Sequence, residues 1–156
     1  MARIRSRGNQ DTELALAALL RTNRISGWRR HFLIRSAERG TRNSGAHGVT
    51  RPTFRVRPDF VFRQVRLALF VDGCFWHGCP KHATQPKNNR AFWQRKLAGN
   101  KQRDARVNRA LRRSGWRVLR IWEHELARKS AAKLVKRIQR TIASVDKMIT
   151  VTTTHD

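Results

Sequence analysis

Acidic residues are scarce in this chain. Ten aspartates and glutamates face 35 lysines and arginines, for a formal net charge of +25. A folded domain this cationic repels itself unless a polyanion is close. Nucleic acid is the partner that charge points to. An anionic membrane is the weaker choice, because no long basic amphipathic helix dominates. Arginine far outnumbers lysine, which suits planar contacts to phosphate and guanine. Long apolar runs are missing too: no stretch approaches the roughly eighteen residues of a membrane-spanning helix. The basic N-terminus "MARIRSRGNQDTE" leads into no apolar segment, which argues against a secretory leader. A cytoplasmic location close to the nucleoid is expected. Cysteine occurs only twice, and a pair in such a setting seldom forms a structural disulfide, so metal binding and free thiols compete. No internal repeat is visible.

What is present suffices for one domain with a real core: 156 residues, 39% hydrophobic. Residues 1–10 read as a basic flexible arm, 11–146 as the single folded domain and 147–156 as a frayed tail. "DTELALAALLRTN" predicts a first helix with Asp11 or Thr12 as N-cap. "SGWRRHFLI" predicts a short strand. "RSAERGTRNSGAHGVTRPT" is rich in Gly, Ser and Arg and reads as a long mobile loop able to track a DNA backbone. "RPDFVF" and "RLALFV" predict two paired strands. A helix is predicted from near Asn89 to a stop at Gly115, with Trp93, Leu97, Asn100, Asp104, Val107 and Leu111 on one face. "WRVLRIW" predicts a strand, and "EHELARKSAAKLVKRIQRTIASV" a last helical region. That order gives an α/β fold, a small mixed central β-sheet flanked by α-helices.

Between the paired strands and the central helix lies "VDGCFWHGCPKH", Val71 to His82. It holds both cysteines, two histidines, an aspartate and a Phe-Trp pair. Cys74, Cys79 and His82 follow the spacing C-x4-C-x2-H, and three such donors suit tetrahedral zinc. His124, in "WEHEL" after the last strand, is the best candidate for a fourth ligand, because neighbouring strand ends can meet. Gly78 and Pro80 help the loop turn. His77 could be a ligand instead, so five donors compete for four positions. The bland alternative is two buried free cysteines and a surface histidine.

Asp59 begins one of the paired strands and Asp72 ends the other. Carboxylates on adjacent strands can share a divalent metal, and hard oxygen ligands suit magnesium in phosphodiester hydrolysis, with the Val71 carbonyl completing the shell. Taken singly, either Asp is more often a turn residue or an arginine partner. Together, "PD" followed about a dozen residues on by an acid is similar to the skeleton of the PD-(D/E)xK nucleases. The lysine of that pattern is absent: Cys74 follows Asp72-Gly73. His77 is then the nearby base, with an ordinary pKa close to neutrality.

"RPDFVF", "FVDGCFWHGCPKH", "NNRAFWQRKLAGNKQRDARV" and "GWRVLRIWEHEL", in that order, resemble the very-short-patch repair endonucleases. The resemblance covers about Arg57 to Leu126 plus the first helix. It implies a restriction-endonuclease-like fold with structural zinc and a magnesium-dependent site that nicks DNA beside a T:G mismatch. Asp59 then matches a catalytic aspartate, His77 a catalytic histidine, and Glu13 a glutamate supporting the metal site through water. Phe75, Trp76 and Trp93 match aromatics that wedge into DNA, a sound device because a mismatched step costs less to unstack. Trp93 also suits a core position. The departures are Asp72, where some members have histidine and where direct magnesium binding is expected, and His82 and His124, where others have cysteine. The Arg35–Arg55 loop is also longer than the family pattern.

The expected activity is therefore a magnesium-dependent endonuclease that cuts one strand of double-stranded DNA at a T:G mismatch left by deaminated 5-methylcytosine. A monomer is expected, linked functionally to a DNA cytosine methyltransferase and mismatch-repair proteins. Lys96 and Arg103, on the central helix, are placed to grip phosphate; Asn100 and Asp104 read as buried polar residues that fix helix packing. One rival is a related nuclease acting on other lesions or foreign DNA. The other is a zinc-stabilised DNA-binding module without activity.

Overall fold

The structure is a computed structural model, described over residues 10–37, 52–82 and 88–151. Helix α1 spans Gln10–Thr22, and strands β1 to β5 follow at Trp28–Arg30, Ile34–Ala37, Pro52–Val56, Phe60–Phe62 and Leu67–Asp72. The loop from Val71 to His82 leads to helix α2, Arg90–Arg113. Strand β6 is Arg117–Trp122, a single 3-10 turn covers Glu123–Leu126, and helix α3 is Arg128–Val151.

The main sheet has the order β1-β4-β5-β6, antiparallel except for the parallel pair β5 and β6, which α2 connects. A separate antiparallel hairpin joins β2 to β3. Side chains alternate across the strands, as a period of two requires. Phe60, Phe62, Leu67, Leu69 and Ile121 pack with Leu16, Ala17 and Leu20 of α1 and Leu134, Val135 and Ile138 of α3. Val61 and Ala68 point the other way, to Leu111 and Val107 of α2 and to Ile34, Phe54 and Val56 of the hairpin. The sheet is thus buried on both sides. The same parity puts Phe70, Asp72 and Arg120 on the α2 side, which decides the chemistry below.

The face expected on α2 is the one it buries: Leu111 is fully buried and Trp93, Leu97, Asn100, Asp104 and Val107 are partly so. The helix stops where Gly115 takes φ +75°. There the Trp116 N–H reaches back to the Leu111 carbonyl at 2.9 Å, the bond of a Schellman cap. Arg66 seals that end by donating to the Ser114 carbonyl at 2.7 Å.

Several boundaries differ from the expectation. The first helix already includes Gln10, so Asp11 and Thr12 lie inside it. "SGWRRHFLI" is two strands rather than one, broken at His31, which sits at φ +51°. Arg35–Ala37 and Pro52–Arg55, expected in a loop, pair within β2 and β3 because Ile34, Phe54 and Val56 supply an apolar face for α2 and the sheet. Residues 38–51, on which the rest of that loop falls, lie outside the described residues, as do residues 1–9. Helix α3 continues through Lys147–Val151, where a tail was expected; residues 152–156 lie outside the described set. Among the described residues no helix is long and apolar enough to cross a membrane.

Candidate active site and metal centre

The ends of β5 and β6 are parallel neighbours, with Asp72 opposite Trp122. The loop leaving β5 and the 3-10 turn leaving β6 therefore meet. Their meeting sorts the five competing donors into two groups. Cys74, Cys79, His82 and His124 each offer a ligand atom, and these atoms lie within 4.8 Å of one another. Cys74 Sγ is 3.2 Å, and Cys79 Sγ 3.7 Å, from His124 Nδ1, while Cys79 Sγ is 3.9 Å from His82 Nδ1. Tetrahedral zinc with its usual bond lengths separates S and N ligands by about 3.5 Å. The donor set and its spacing fit that ion. Cys79 is buried, so the cluster is anchored from inside. Burial pushes the Cys74 thiol above its ordinary pKa, with Cys79 and Glu123 adding to the effect against a hydrogen bond from the His124 backbone. A bound cation would reverse that balance.

The acids beside His124, which sequence reasoning left without a role, have defined partners. Glu123 Oε2 accepts the Cys74 N–H at 3.3 Å, which supports the ligand loop. Glu125 accepts the Trp122 N–H at 2.8 Å and pairs with Arg137 at 2.8 Å, tying α3 to the end of β6.

His77 stands apart from the group of Cys74, Cys79, His82 and His124. Its Nδ1 lies 2.6 Å from Asp104 Oδ2 on α2. The other oxygen, Asp104 Oδ1, accepts from Arg120 Nη2 at 3.1 Å. Arg120 Nη1 in turn contacts both oxygens of Asp72, at 2.8 and 2.9 Å. A chain Asp72–Arg120–Asp104–His77 thus crosses three elements. Asp72, expected to bind magnesium directly, has both oxygens engaged by a guanidinium. Asp104, expected to fix helix packing, holds the histidine instead. The neighbouring Asn100 takes the packing role and donates to the Trp76 carbonyl at 2.9 Å.

Asp59 lies at the mouth of β4, with Oδ2 accepting the Val71 N–H at 2.7 Å. Val71, expected to offer its carbonyl, thus touches Asp59 through its amide. Burial pushes the Asp59 carboxyl up to about 6; the Val71 bond pulls it down, and the charges of Glu13 and Asp72 push it further up. Glu13 is 3% exposed and ion-pairs with Arg30 at 2.7 Å. Its other neighbour is His31, at 3.2 Å, whose N–H donates to the Asp59 carbonyl. So the first helix does bring Glu13 to this cluster. His31 was missed: the only signal in the sequence is a histidine next to the arginines of a short strand. In a protein of such positive charge, a carboxyl held high chiefly by burial, with Glu13 and Asp72 adding to the effect, has donors that fit a hard divalent ion.

Phe75 makes edge contacts with Trp76 and Trp93, which are tilted against each other, and the ring centroids of the three lie 5.0 to 5.9 Å apart. None belongs to either core, so Trp93 is not the core residue its helix position allowed. Phe92 extends the cluster, 5.3 Å from Trp93 and 45% exposed; helical periodicity gave no reason to single it out. Lys96 and Arg103 are exposed on the same helix.

Comparison with known proteins bears on this loop directly. A family profile described as DNA mismatch endonuclease Vsr matches residues 46–84. The Type II nicking enzyme V.NaeI of Lentzea aerocolonigenes is 49% identical over 81 residues, covering 52% of this chain and 49% of the relative. The Type II nicking enzyme V.XorIIP of Xanthomonas oryzae is 46% identical over 71 residues, covering 45% and 52%. The DNA mismatch endonuclease Vsr of Escherichia coli is 41% identical over 68 residues, covering 43% and 44%. Over this stretch the chain is similar to the Vsr endonucleases. It spans about half the length of these curated relatives. The Vsr-matched residues 46–84 contain Asp59, Asp72, His77 and three of the four clustered sulfur and nitrogen donors.

Proposed function

We propose that this protein is a magnesium-dependent DNA endonuclease that nicks one strand of a duplex at a T:G mismatch. The observation that carries the proposal is that Asp72 links two groups: its charge acts on Asp59 at the mouth of β4, and its Oδ1 lies 3.7 Å from Nδ1 of His77, a histidine held by Asp104 beside an aromatic cluster outside the core. The match to the Vsr profile supports it.

In this reading Asp59 holds magnesium, with Glu13 supporting it and the Val71 backbone beside it. Magnesium, when bound, supplies Lewis-acid stabilisation of the charge that builds on the phosphate and the leaving oxygen. The chain's residues do the rest. Asp104 accepts the Nδ1 proton of His77 at 2.6 Å, which fixes the tautomer that leaves Nε2 free to take a proton from water. Asn100 holds the Trp76 carbonyl, so the aromatic loop and the histidine share one rigid support. Phe75, Trp76 and Trp93 are the wedge, selecting a mismatch because a weak step unstacks at lower cost. Cys74, Cys79, His82 and His124 would hold zinc as a brace that clamps the β5 loop to the end of β6, away from the chemistry. Lys96 and Arg103 contact phosphate.

A second reading has one finding in its favour: similar relatives are called type II nicking enzymes, a name that includes no mismatch. Under it the same site nicks matched or otherwise altered duplex. A labelled duplex with one T:G mismatch and its T:A control, incubated with magnesium and resolved on a denaturing gel, separates the two. Cutting of the T strand in the mismatched duplex alone, lost in Asp59→Ala, is the expected result. Equal cutting of both duplexes selects the second reading. Binding without cutting of either, unaffected by magnesium, leaves a zinc-stabilised binding module.

A further inference from the structure

Arg120 is used on every edge of its guanidinium. Nη1 spans both oxygens of Asp72, Nη2 donates to Asp104 Oδ1 at 3.1 Å, and Nε donates to Asn108 Oδ1 at 3.3 Å. The group lies over the Phe70 ring at 4.9 Å, and the Arg120 carbonyl accepts from Arg137 at 3.2 Å. It is therefore held on all sides, in a site where Asp72 is 3% exposed. The placement follows from topology: β5 and β6 run parallel with Phe70 opposite Arg120, so Asp72 and Arg120 project from one face, toward Asp104 on α2.

We propose that Arg120 is a positioning residue that serves as the resident cation of the catalytic cluster: it closes Asp72 to metal, aims His77 through Asp104, and leaves room for one divalent ion, at Asp59. This rests on the endonuclease reading of the cluster. The physical ground is competition for lone pairs. A carboxylate with both oxygens on a fixed guanidinium keeps only its outward lone pairs and already shares its charge with a resident cation, which makes it a poor ligand for a second one. Admitting an ion there would strip a partly buried guanidinium of its partner, a change that strongly disfavours the exchange. The same cation keeps Asp72 and Asp104 together without mutual repulsion, and Asp104 presents its remaining oxygen to His77. Lysine could not substitute, because a single ammonium cannot bridge two carboxylates in a fixed plane.

The test counts ions. The full zinc-loaded chain is titrated with Mn²⁺, and free aqua manganese is read by electron paramagnetic resonance. One manganese per chain is expected, lost in Asp59→Ala and unchanged in Asp72→Asn. Arg120→Met should admit a second ion, and adding Asp72→Asn to it should return the count to one. Arg120→Lys is the milder variant should Arg120→Met not fold. It should lower kcat roughly tenfold or more with little change in KM for DNA. In ¹⁵N spectra it should also reduce the share of His77 protonated at Nδ1, which a purely structural arginine would leave untouched. Two manganese ions in the wild type, one of them lost in Asp72→Asn, overturn the proposal, as does a count of zero. An unchanged His77 tautomer in Arg120→Lys removes its second half. One manganese in a protein that nicks no duplex sinks the endonuclease reading but not the count; two in an active nuclease do the reverse.

Discussion

Replacing Asp59 with asparagine should stabilise the metal-free protein, and do so only at higher pH. The Asp59 carboxyl is pushed from 3.8 up to about 6, mainly by burial. A carboxyl raised this way favours the folded state while protonated. Its contribution is fully present below the unfolded value near 4 and is lost as pH rises through about 6. Ionising it in the folded protein therefore costs about 3 kcal/mol. Asparagine avoids that cost and can still accept the Val71 N–H. In thermal melts with a chelator chosen to leave zinc in place, Asp59→Asn and the wild type should match at about pH 4 and diverge above about pH 6. Near pH 8 the variant should melt higher by roughly 6–12 °C, taking about 2–4 °C per kcal/mol for a domain of this size. Other carboxyls titrate alike in both proteins and cancel. Magnesium should then close the gap by raising the wild type alone. Parallel curves at every pH would refute the claim that Asp59 is held high by burial. A gap that magnesium leaves open would refute its role as the metal ligand.

Other expectations follow from the same geometry. His77→Ala and Asp104→Asn should each lower kcat by about 10²–10⁴-fold, and together no more than either alone, because they act as one unit. If the Cys/His cluster holds zinc as proposed, a zinc chelator, or Cys79→Ser, should unfold the loop and lower the melting temperature, with near-UV circular dichroism of Trp76 and Trp93 reporting the loss; an unchanged spectrum would argue against the brace. Trp76→Ala or Trp93→Ala should weaken binding to the mismatched duplex by about 1–3 kcal/mol while leaving matched-duplex binding nearly constant, checked by fluorescence anisotropy. Lys96→Ala and Arg103→Ala should weaken both duplexes alike and each reduce the salt dependence of binding by about one ion.

Much of the fold can be read from local pattern. The unbroken apolar runs in "RPDFVF" and "RLALFV" suit paired strands with two buried faces, and Leu97, Asn100, Asp104, Val107 and Leu111 recur at helical spacing to face them. Gly115 ends α2 because the cap needs a positive φ. Charge alone points to a polyanion, and the density of soft donors between Cys74 and His82 points to a metal. These are short-range properties, set by side-chain chemistry and by periods of two and 3.6 residues.

Tertiary structure alone decided how those donors divide. Cys74 and His124 are fifty residues apart in sequence, yet 3.2 Å apart in space, because β5 and β6 lie parallel and their ends coincide. The same register sets Arg120 against Asp72, turning an expected metal ligand into half of an ion pair, and brings Asp104 to His77. No local pattern encodes strand order or helix rotation, so none could say which acid faces an arginine and which stays open. The hairpin of β2 and β3 was hidden for a related reason. Its strands are short and mix arginine and serine with the apolar Ile34, Phe54 and Val56, and the apolar surface these meet on α2 and the sheet makes them strands. The sequence by itself determined what chemistry this protein carries; the parallel pairing of two strands, which packing on both faces selects, decided where each piece of it stands.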